Sequence, residues 1–201
     1  MSINTVQLVE TLSQLPLELV GPVIGIVLLY AARRYLGGWP DLWRLRRIVL
    51  PIVGNYKDNP NIPDKTEVGL QEREFVGVVD APPKQVRRFF RGQDNWWPAI
   101  FASIQYEMQN GERVYEAGTY ARRPAGFTGM WQDHVRLTPR DGGAKTALWA
   151  HHERSPIASP KKHYNAVGWE ADPGLVAVAN AIEGESDFEL ARSARTQQLL
   201  E

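Results

Sequence analysis

The residues best suited to metal chemistry are three histidines and a glutamate. His151, His152 and Glu153 are consecutive, and His134 lies in the neighbouring predicted strand. Imidazole nitrogens from paired strands, with a carboxylate as third ligand, form a donor set that zinc uses. Adjacent residues of a strand point to opposite faces of a sheet, so His151 and His152 share one site only across a bulge. We therefore expect no metal site and no cofactor here, and interpret the adjacent histidines as exposed or hydrogen-bonded side chains.

Other sequence patterns typical of catalysis are missing. The chain has no phosphate-binding glycine loop, no G-x-S-x-G motif and no dinucleotide fingerprint. It has no cysteine, which excludes disulfides, thiolate metal ligands and cysteine nucleophiles. Asp133 and Glu153 are the nearest approach to a carboxylate pair, and nothing in the sequence indicates an acid–base role for them. We assign no catalytic residue and expect a non-enzymatic protein.

Aromatic and basic residues suggest two kinds of binding. Seven tryptophans are many for 201 residues, and such side chains either line ligand pockets or fill cores. The run Arg87–Arg91 mixes cations with aromatic rings, as single-strand nucleic-acid binders do. An amphipathic helix explains that run equally well, and the chain balances 23 basic against 23 acidic residues. We therefore expect no nucleic-acid partner.

The elements that position these residues indicate an α+β fold. Strand patterns occupy residues 72–79, 101–108, 114–121, 131–137 and 146–152, and Asn110-Gly111 predicts a tight hairpin turn. Short connections between strands require an antiparallel sheet, against which the helices pack. A first helix follows Asp80-Ala81-Pro82-Pro83 and buries Val86, Phe89 and Phe90. A second starts at Asp172 and is interrupted at Gly184, and a polar helix over residues 187–200 is predicted after Ser186.

The opening of this domain carries a family resemblance. EFVGVVDAPPKQVRRFF, followed by Trp96-Trp97-Pro98, resembles the start of the START-like, helix-grip superfamily of polyketide-cyclase and lipid-transfer type. The resemblance covers residues 72–98 and implies a sheet wrapped around a C-terminal helix, with a groove for a hydrophobic ligand or lipid. The sequence has too few predicted strands for a full helix-grip sheet, so the fold expected is a reduced form. The residues expected to line the groove are Trp97, Trp131, Trp149, Leu175, Val178 and Ile182.

An apolar segment near the N-terminus predicts a membrane anchor. Leu19–Ala32 contains no charged residue, and extension to Leu15–Leu36 gives the length of a transmembrane helix. A buried soluble helix and a cleaved signal peptide are the alternatives. Arginines follow the segment, so the positive-inside rule predicts a single-pass protein with its N-terminus outside and its C-terminal domain on the cytoplasmic side. The residues expected at the membrane interface are Arg33, Arg34, Trp39, Trp43, Arg44, Arg46 and Arg47.

These patterns divide the chain into an anchor (1–36), a juxtamembrane amphipathic helix (37–53), a linker (54–71), the α+β domain (72–184) and a C-terminal polar helix or tail (185–201). The amphipathic helix contacts either lipid headgroups or the domain itself. The function expected is a membrane-anchored, non-enzymatic binding or scaffold domain, with the bilayer, a hydrophobic small molecule or lipid, and assembly proteins as partners. One alternative is a structural subunit of a membrane-associated assembly or virus particle; another is an enzyme acting on a small apolar substrate.

Overall fold

The computed structural model describes residues 67–99, 102–126 and 128–201. The predicted anchor, the juxtamembrane helix and residues 54–66 of the linker lie outside the described residues. Among the residues that are described, no helix is both long and apolar enough to cross a bilayer.

The larger sheet has six strands, and every neighbouring pair in it is antiparallel, which confirms the predicted α+β class with an antiparallel sheet. Its strands are β2 (Phe75–Val79), β3 (Trp96–Pro98), β6 (Gly118–Arg122), β7 (Trp131–Arg140), β8 (Lys145–Arg154) and β9 (Leu190–Arg192). Their order across the sheet is β3-β6-β7-β8-β2-β9. The long central hairpin pairs β7 with β8 over ten residues each.

A smaller sheet of three strands joins β1 (Glu67–Gly69), β4 (Ile104–Gln109) and β5 (Glu112–Tyr115), and β1 lies parallel to β4. The predicted hairpin at Asn110-Gly111 is confirmed: β4 and β5 are antiparallel, and both turn residues have positive φ. The predicted strand 114–121 is two strands, β5 and β6, in different sheets. The chain changes partner between them, because the Glu116 amide bonds to Gln105 and the Ala117 amide to Leu137.

Helix α1 (Pro83–Gly92) packs through Val86 and Phe90, which are buried. The Phe90 ring lies 4.7 Å from the Trp96 ring and 5.6 Å from the Tyr120 ring of β6. Phe89, expected to share this burial, is half-buried; its ring centroid lies 5.1 Å from that of Phe90 and 5.9 Å from that of Phe188. The helix therefore covers the sheet face to which Tyr120 points.

The C-terminal region differs from the prediction in two places. Helix α3 (Ala171–Glu185) continues through Gly184, so the predicted interruption there is wrong. The predicted polar helix over 187–200 is instead strand β9 followed by α4 (Ala194–Leu200). β9 forms because the edge of β2 is available: the Ser193 amide bonds to Val76, and the Ser193 hydroxyl to the Phe75 carbonyl. Ser193 then caps α4 by accepting from the Thr196 amide.

The β6–β7–β8 portion of the larger sheet has two distinct faces. The apolar face carries Tyr120, Val135, Leu137, Leu148 and Ala150, all at most 1% exposed. The polar face carries buried Gln132, His134, Arg136, His151 and Glu153. The second face therefore holds several buried ionisable groups.

Candidate functional site

A buried histidine–glutamate cluster lies on the polar face and consists of Glu74, His134, His151 and Glu153. Register places His134 of β7 directly opposite His151 of β8. Glu153 is two residues beyond His151 and shares its face because side chains of a strand alternate. Glu74 joins from the short 3-10 turn Glu72–Glu74 that precedes β2. All four residues are less than 9% exposed. The pairing of β7 with β8 and the turn before β2 therefore place four ionisable groups away from water.

The side chains of this cluster are held by one another. Glu153 Oε1 lies 3.0 Å from His134 Nδ1, and Glu153 Oε2 lies 3.4 Å from His151 Nε2. On the far side of each ring, His151 Nδ1 lies 2.6 Å from Glu74 Oε1, and His134 Nε2 lies 2.6 Å from the Thr119 hydroxyl. Both ring nitrogens of each buried histidine therefore have a polar partner, which fixes the orientation of the two rings.

Burial and neighbouring charges shift the pKa values of the two buried histidines in opposite directions. Burial opposes protonation of His151, but the charge of Glu153 and hydrogen bonds to Glu153 and Glu74 outweigh it and raise the pKa of His151 to about 9. Burial lowers the pKa of His134 to about 3, with Arg136 adding to the effect. Burial raises the pKa of the Glu153 carboxyl, but the His151 charge and the bonds from the histidines hold it well below its ordinary value. Without a bound cation, the cluster thus holds an imidazolium between carboxylates.

His152 belongs to a different group on the opposite face. Its Nδ1 lies 2.8 Å from Asp133 Oδ1, and Arg122 reaches the other oxygen of Asp133 at 2.9 Å. The His152 ring stacks on Trp131, with centroids 4.9 Å apart. The sequence prediction that His151 and His152 point apart is confirmed. Sequence reasoning named His134 and Glu153 beside the histidine pair but did not predict that both share the face of His151; the i, i+2 spacing of His151 and Glu153 was the available signal.

The structure separates the three tryptophans that were expected to line one groove. Trp97 pairs with Ala121, and Trp149 with Arg136, on the polar face; the Trp149 indole donates to Thr138 Oγ1 at 2.9 Å. Trp131 pairs with Arg154 and points to the opposite face. These three side chains do not form a single wall. The α3 residues expected beside them are fully buried: Leu175, Val178 and Ile182.

Two open grooves lie elsewhere, and neither includes a member of the cluster. One, of about 390 Å³, runs between α1 and Phe188 and is lined in part by Gln85, Arg88 and Phe89. The other, of about 450 Å³, lies beside Trp96 and Arg122. The residues expected at the membrane interface, Arg33 to Arg47, lie outside the described residues.

One end of the β7–β8 hairpin combines exposed apolar side chains with basic ones, in two segments without acidic residues. We call it the acid-free end; it comprises residues 128–130 before β7 and residues 154–168 after β8, which contain no Asp or Glu. Met130, Ile157 and Val167 are 43–49% exposed there. Lys161 and Lys162 of helix α2 (Pro160–Tyr164) are also exposed.

Hydrogen bonds hold the acid-free end together. The Ser155 amide bonds to the Met130 carbonyl at 2.9 Å, and the Val167 amide to the Lys162 carbonyl at 2.9 Å. His163 connects it to the histidine–glutamate cluster, since its Nδ1 lies 2.8 Å from the Arg154 carbonyl and 3.2 Å from Glu153 Oε2. These bonds connect the segments that carry the exposed apolar side chains.

Comparison of the chain with protein-family models, with curated proteins and with solved structures finds no match.

Proposed function

We infer that this chain is a membrane-tethered, non-enzymatic binding domain whose acid-free end docks on anionic lipid. The observation that carries the proposal is the joint exposure of Met130, Ile157 and Val167 beside Lys161 and Lys162, with no acidic residue in either contributing segment. Apolar side chains that enter the headgroup layer and cations that meet anionic phosphates are the two attractions that bind proteins to such surfaces. The apolar run Leu15–Leu36 supplies the tether.

The expected strength is sufficient for docking but not for anchoring. Each lysine near an anionic surface contributes about 1 kcal/mol. Each half-exposed apolar side chain contributes about 1 kcal/mol more when it leaves water. The sum, about 5 kcal/mol before orientation costs, describes a reversible contact. A tether that keeps the domain at the surface makes such a weak contact effective, because the second contact becomes intramolecular.

The test uses a single fluorescent label, which the absence of cysteine makes straightforward. Ile157→Cys and, as a matched control, Met108→Cys are each labelled with an environment-sensitive NBD dye. Met108 is 58% exposed and lies on β4, away from the acid-free end in sequence. The full-length chain is reconstituted into vesicles of neutral phosphatidylcholine, or of phosphatidylcholine mixed with phosphatidylglycerol.

In the anionic vesicles, the label at position 157 should shift to the blue and be quenched by nitroxide lipids, and the label at 108 should not. The double change Lys161→Glu with Lys162→Glu should abolish the effect, whereas Lys84→Glu with Arg88→Glu on α1 should preserve it. Equal signals at 157 and 108, or no dependence on anionic lipid, would reject lipid docking. A blue shift at 157 that follows protein concentration instead of lipid charge would favour the alternative of an assembly subunit.

A further inference from the structure

The histidine–glutamate cluster has the spacing of a metal centre. Nitrogen or oxygen atoms of His134, His151 and Glu153 all lie within 4.8 Å of one another. Zinc bonds of about 2.1 Å in a tetrahedron place ligand atoms roughly 3.4 Å apart. Glu153 Oε1 lies 3.0 Å from His134 Nδ1, and Glu153 Oε2 lies 3.4 Å from His151 Nε2. Each histidine nitrogen is therefore near this spacing from the carboxylate, and binding of one ion by all three side chains requires side-chain movement.

The partners behind the two rings match those of metal-bound histidines. A ligating imidazole almost always donates its other N–H to a carboxylate, a carbonyl or another polar group, which orients the ring and raises its basicity. Glu74 accepts from His151 Nδ1 at 2.6 Å, leaving Nε2 directed at Glu153. Thr119 bonds to His134 Nε2 at 2.6 Å, leaving Nδ1 directed at the same carboxylate. Two inward-facing nitrogens and one carboxylate result.

We propose that His134 Nδ1, His151 Nε2 and a Glu153 oxygen bind one Zn²⁺ ion, with Glu74 and Thr119 as the groups that orient the histidine ligands. Two nitrogen donors and one oxygen donor favour zinc over magnesium or calcium, which prefer all-oxygen sites. His163 is not counted as a ligand, because its Nδ1 lies 2.8 Å from the Arg154 carbonyl. A water molecule completes the coordination.

The site would connect separate segments of the chain. Its ligands come from β7 and β8, and Glu74 links them to the turn before β2, so the ion would connect three segments of the chain. Binding to an arrangement that exists only in the folded state adds to the free energy of unfolding. His163 of the acid-free end lies 3.2 Å from Glu153 Oε2 but is not a proposed ligand, and the zinc inference is argued from the geometry of the cluster and not from lipid docking.

The experiment starts with full-length protein that carries no affinity tag. The chain itself has four histidines, and the added histidines of a tag would also bind zinc and obscure the measurement. Elemental analysis of the purified protein should find about one zinc per chain. After removal of zinc with a chelator, Zn²⁺ titrated by calorimetry should bind with 1:1 stoichiometry. A Zn²⁺ concentration roughly 100 times the Kd should raise Tm by about 10 °C. Co²⁺ in the same site should show the visible d–d absorption of a tetrahedral ion.

Variants separate this centre from general binding by histidine. Glu153→Gln and His134→Gln should remove stoichiometric binding, and Glu74→Gln should weaken it by about 10- to 100-fold. His152→Gln is the matched control. It changes the residue between His151 and Glu153, whose side chain points to the other face of the sheet. This variant should bind zinc as the parent protein does.

The measurements on the parent protein test the proposal even if a variant fails to fold. Absence of zinc after purification, together with failure to take up Zn²⁺ or Co²⁺ stoichiometrically, would overturn the proposal and leave a proton-linked cluster. Retention of binding in Glu153→Gln, or its loss in His152→Gln, would overturn the ligand assignment.

Discussion

Two glycines of helix α3 should respond oppositely to the same substitution. A Cβ atom at Gly174 would lie 2.3 Å from the carbonyl carbon of His151 and 2.4 Å from its Cα, whereas a Cβ at Gly184 would meet no atom within 4 Å. Ordinary contact begins at 3.4 Å, so Gly174→Ala requires α3 and β8 to separate by roughly 1 Å. The obstructing atoms are backbone, and no change of rotamer relieves the clash.

Both substitutions gain up to about 1 kcal/mol of helix propensity. At position 174, overpacking costs about 1–3 kcal/mol, and the backbone obstruction places the cost in the upper part of that range. Gly174→Ala should therefore lower the free energy of unfolding by about 1–2 kcal/mol. Gly184→Ala lies one residue before the helix end and should raise it by about 0.5 kcal/mol.

Urea unfolding of the full-length chain, followed by tryptophan fluorescence, measures both changes through the midpoint at constant m-value. In thermal unfolding, each kcal/mol of change in the free energy of unfolding should shift Tm by about 3–6 °C. Equal shifts of the same sign in the two variants would refute the close packing of α3 on β8 at His151.

The remaining predictions concern buried groups. Glu116→Ala should destabilise the protein by about 3–5 kcal/mol, because Arg136, 3.0 Å away and 4% exposed, would keep a buried charge without its carboxylate. In chemical denaturation, the double variant Glu116→Leu with Arg136→Met should recover the lost stability. Unchanged stability of Glu116→Ala would contradict the pairing. Phe90→Ala should cost about 3–5 kcal/mol and half-buried Phe89→Ala clearly less; the reverse order would contradict the packing of α1. In metal-free protein, the raised pKa of His151, about 9 against 6.5 unfolded, gives a stabilisation that is complete below pH 6.5 and lost as pH rises through 9. Denaturation at pH 6, 8 and 10 should show that contribution decline by at most about 3 kcal/mol; stability that rises over this interval would contradict it.

Local sequence signals predicted the elements whose structure is determined locally. Asn110-Gly111 specifies a tight turn because both residues adopt positive φ readily, and the β4–β5 hairpin follows. Alternation along β8 correctly separated His151 from His152. The division of the predicted strand 114–121 depends on tertiary contacts: Glu116 bonds to Arg136 of β7, and no local pattern indicates that partner.

Sequence reasoning named His134, His151 and Glu153 as zinc-type donors but did not predict that they meet, because their meeting depends on register. His134 faces His151 only when the turn Asp141–Gly143 sets the β7–β8 pairing as it does, and a slip of one residue would move His134 to the other face. Glu74 reaches His151 from 77 residues away, through a turn that the sequence presented as strand. The C-terminal strand β9 similarly forms because β2 offers an edge, not because Leu190–Arg192 has a strong strand pattern.

Paramagnetic relaxation measured on the full-length chain in lipid nanodiscs tests the proposed membrane docking most directly. Nanodiscs containing phosphatidylglycerol and a gadolinium-chelating lipid broaden the amide signals of residues near the bilayer surface. Broadening of the described domain should be strongest at residues 128–130 and 154–168, and should weaken when phosphatidylglycerol is replaced by phosphatidylcholine. Broadening centred on the β4–β5 hairpin, or distributed evenly over the domain in both lipids, would contradict docking through the acid-free end.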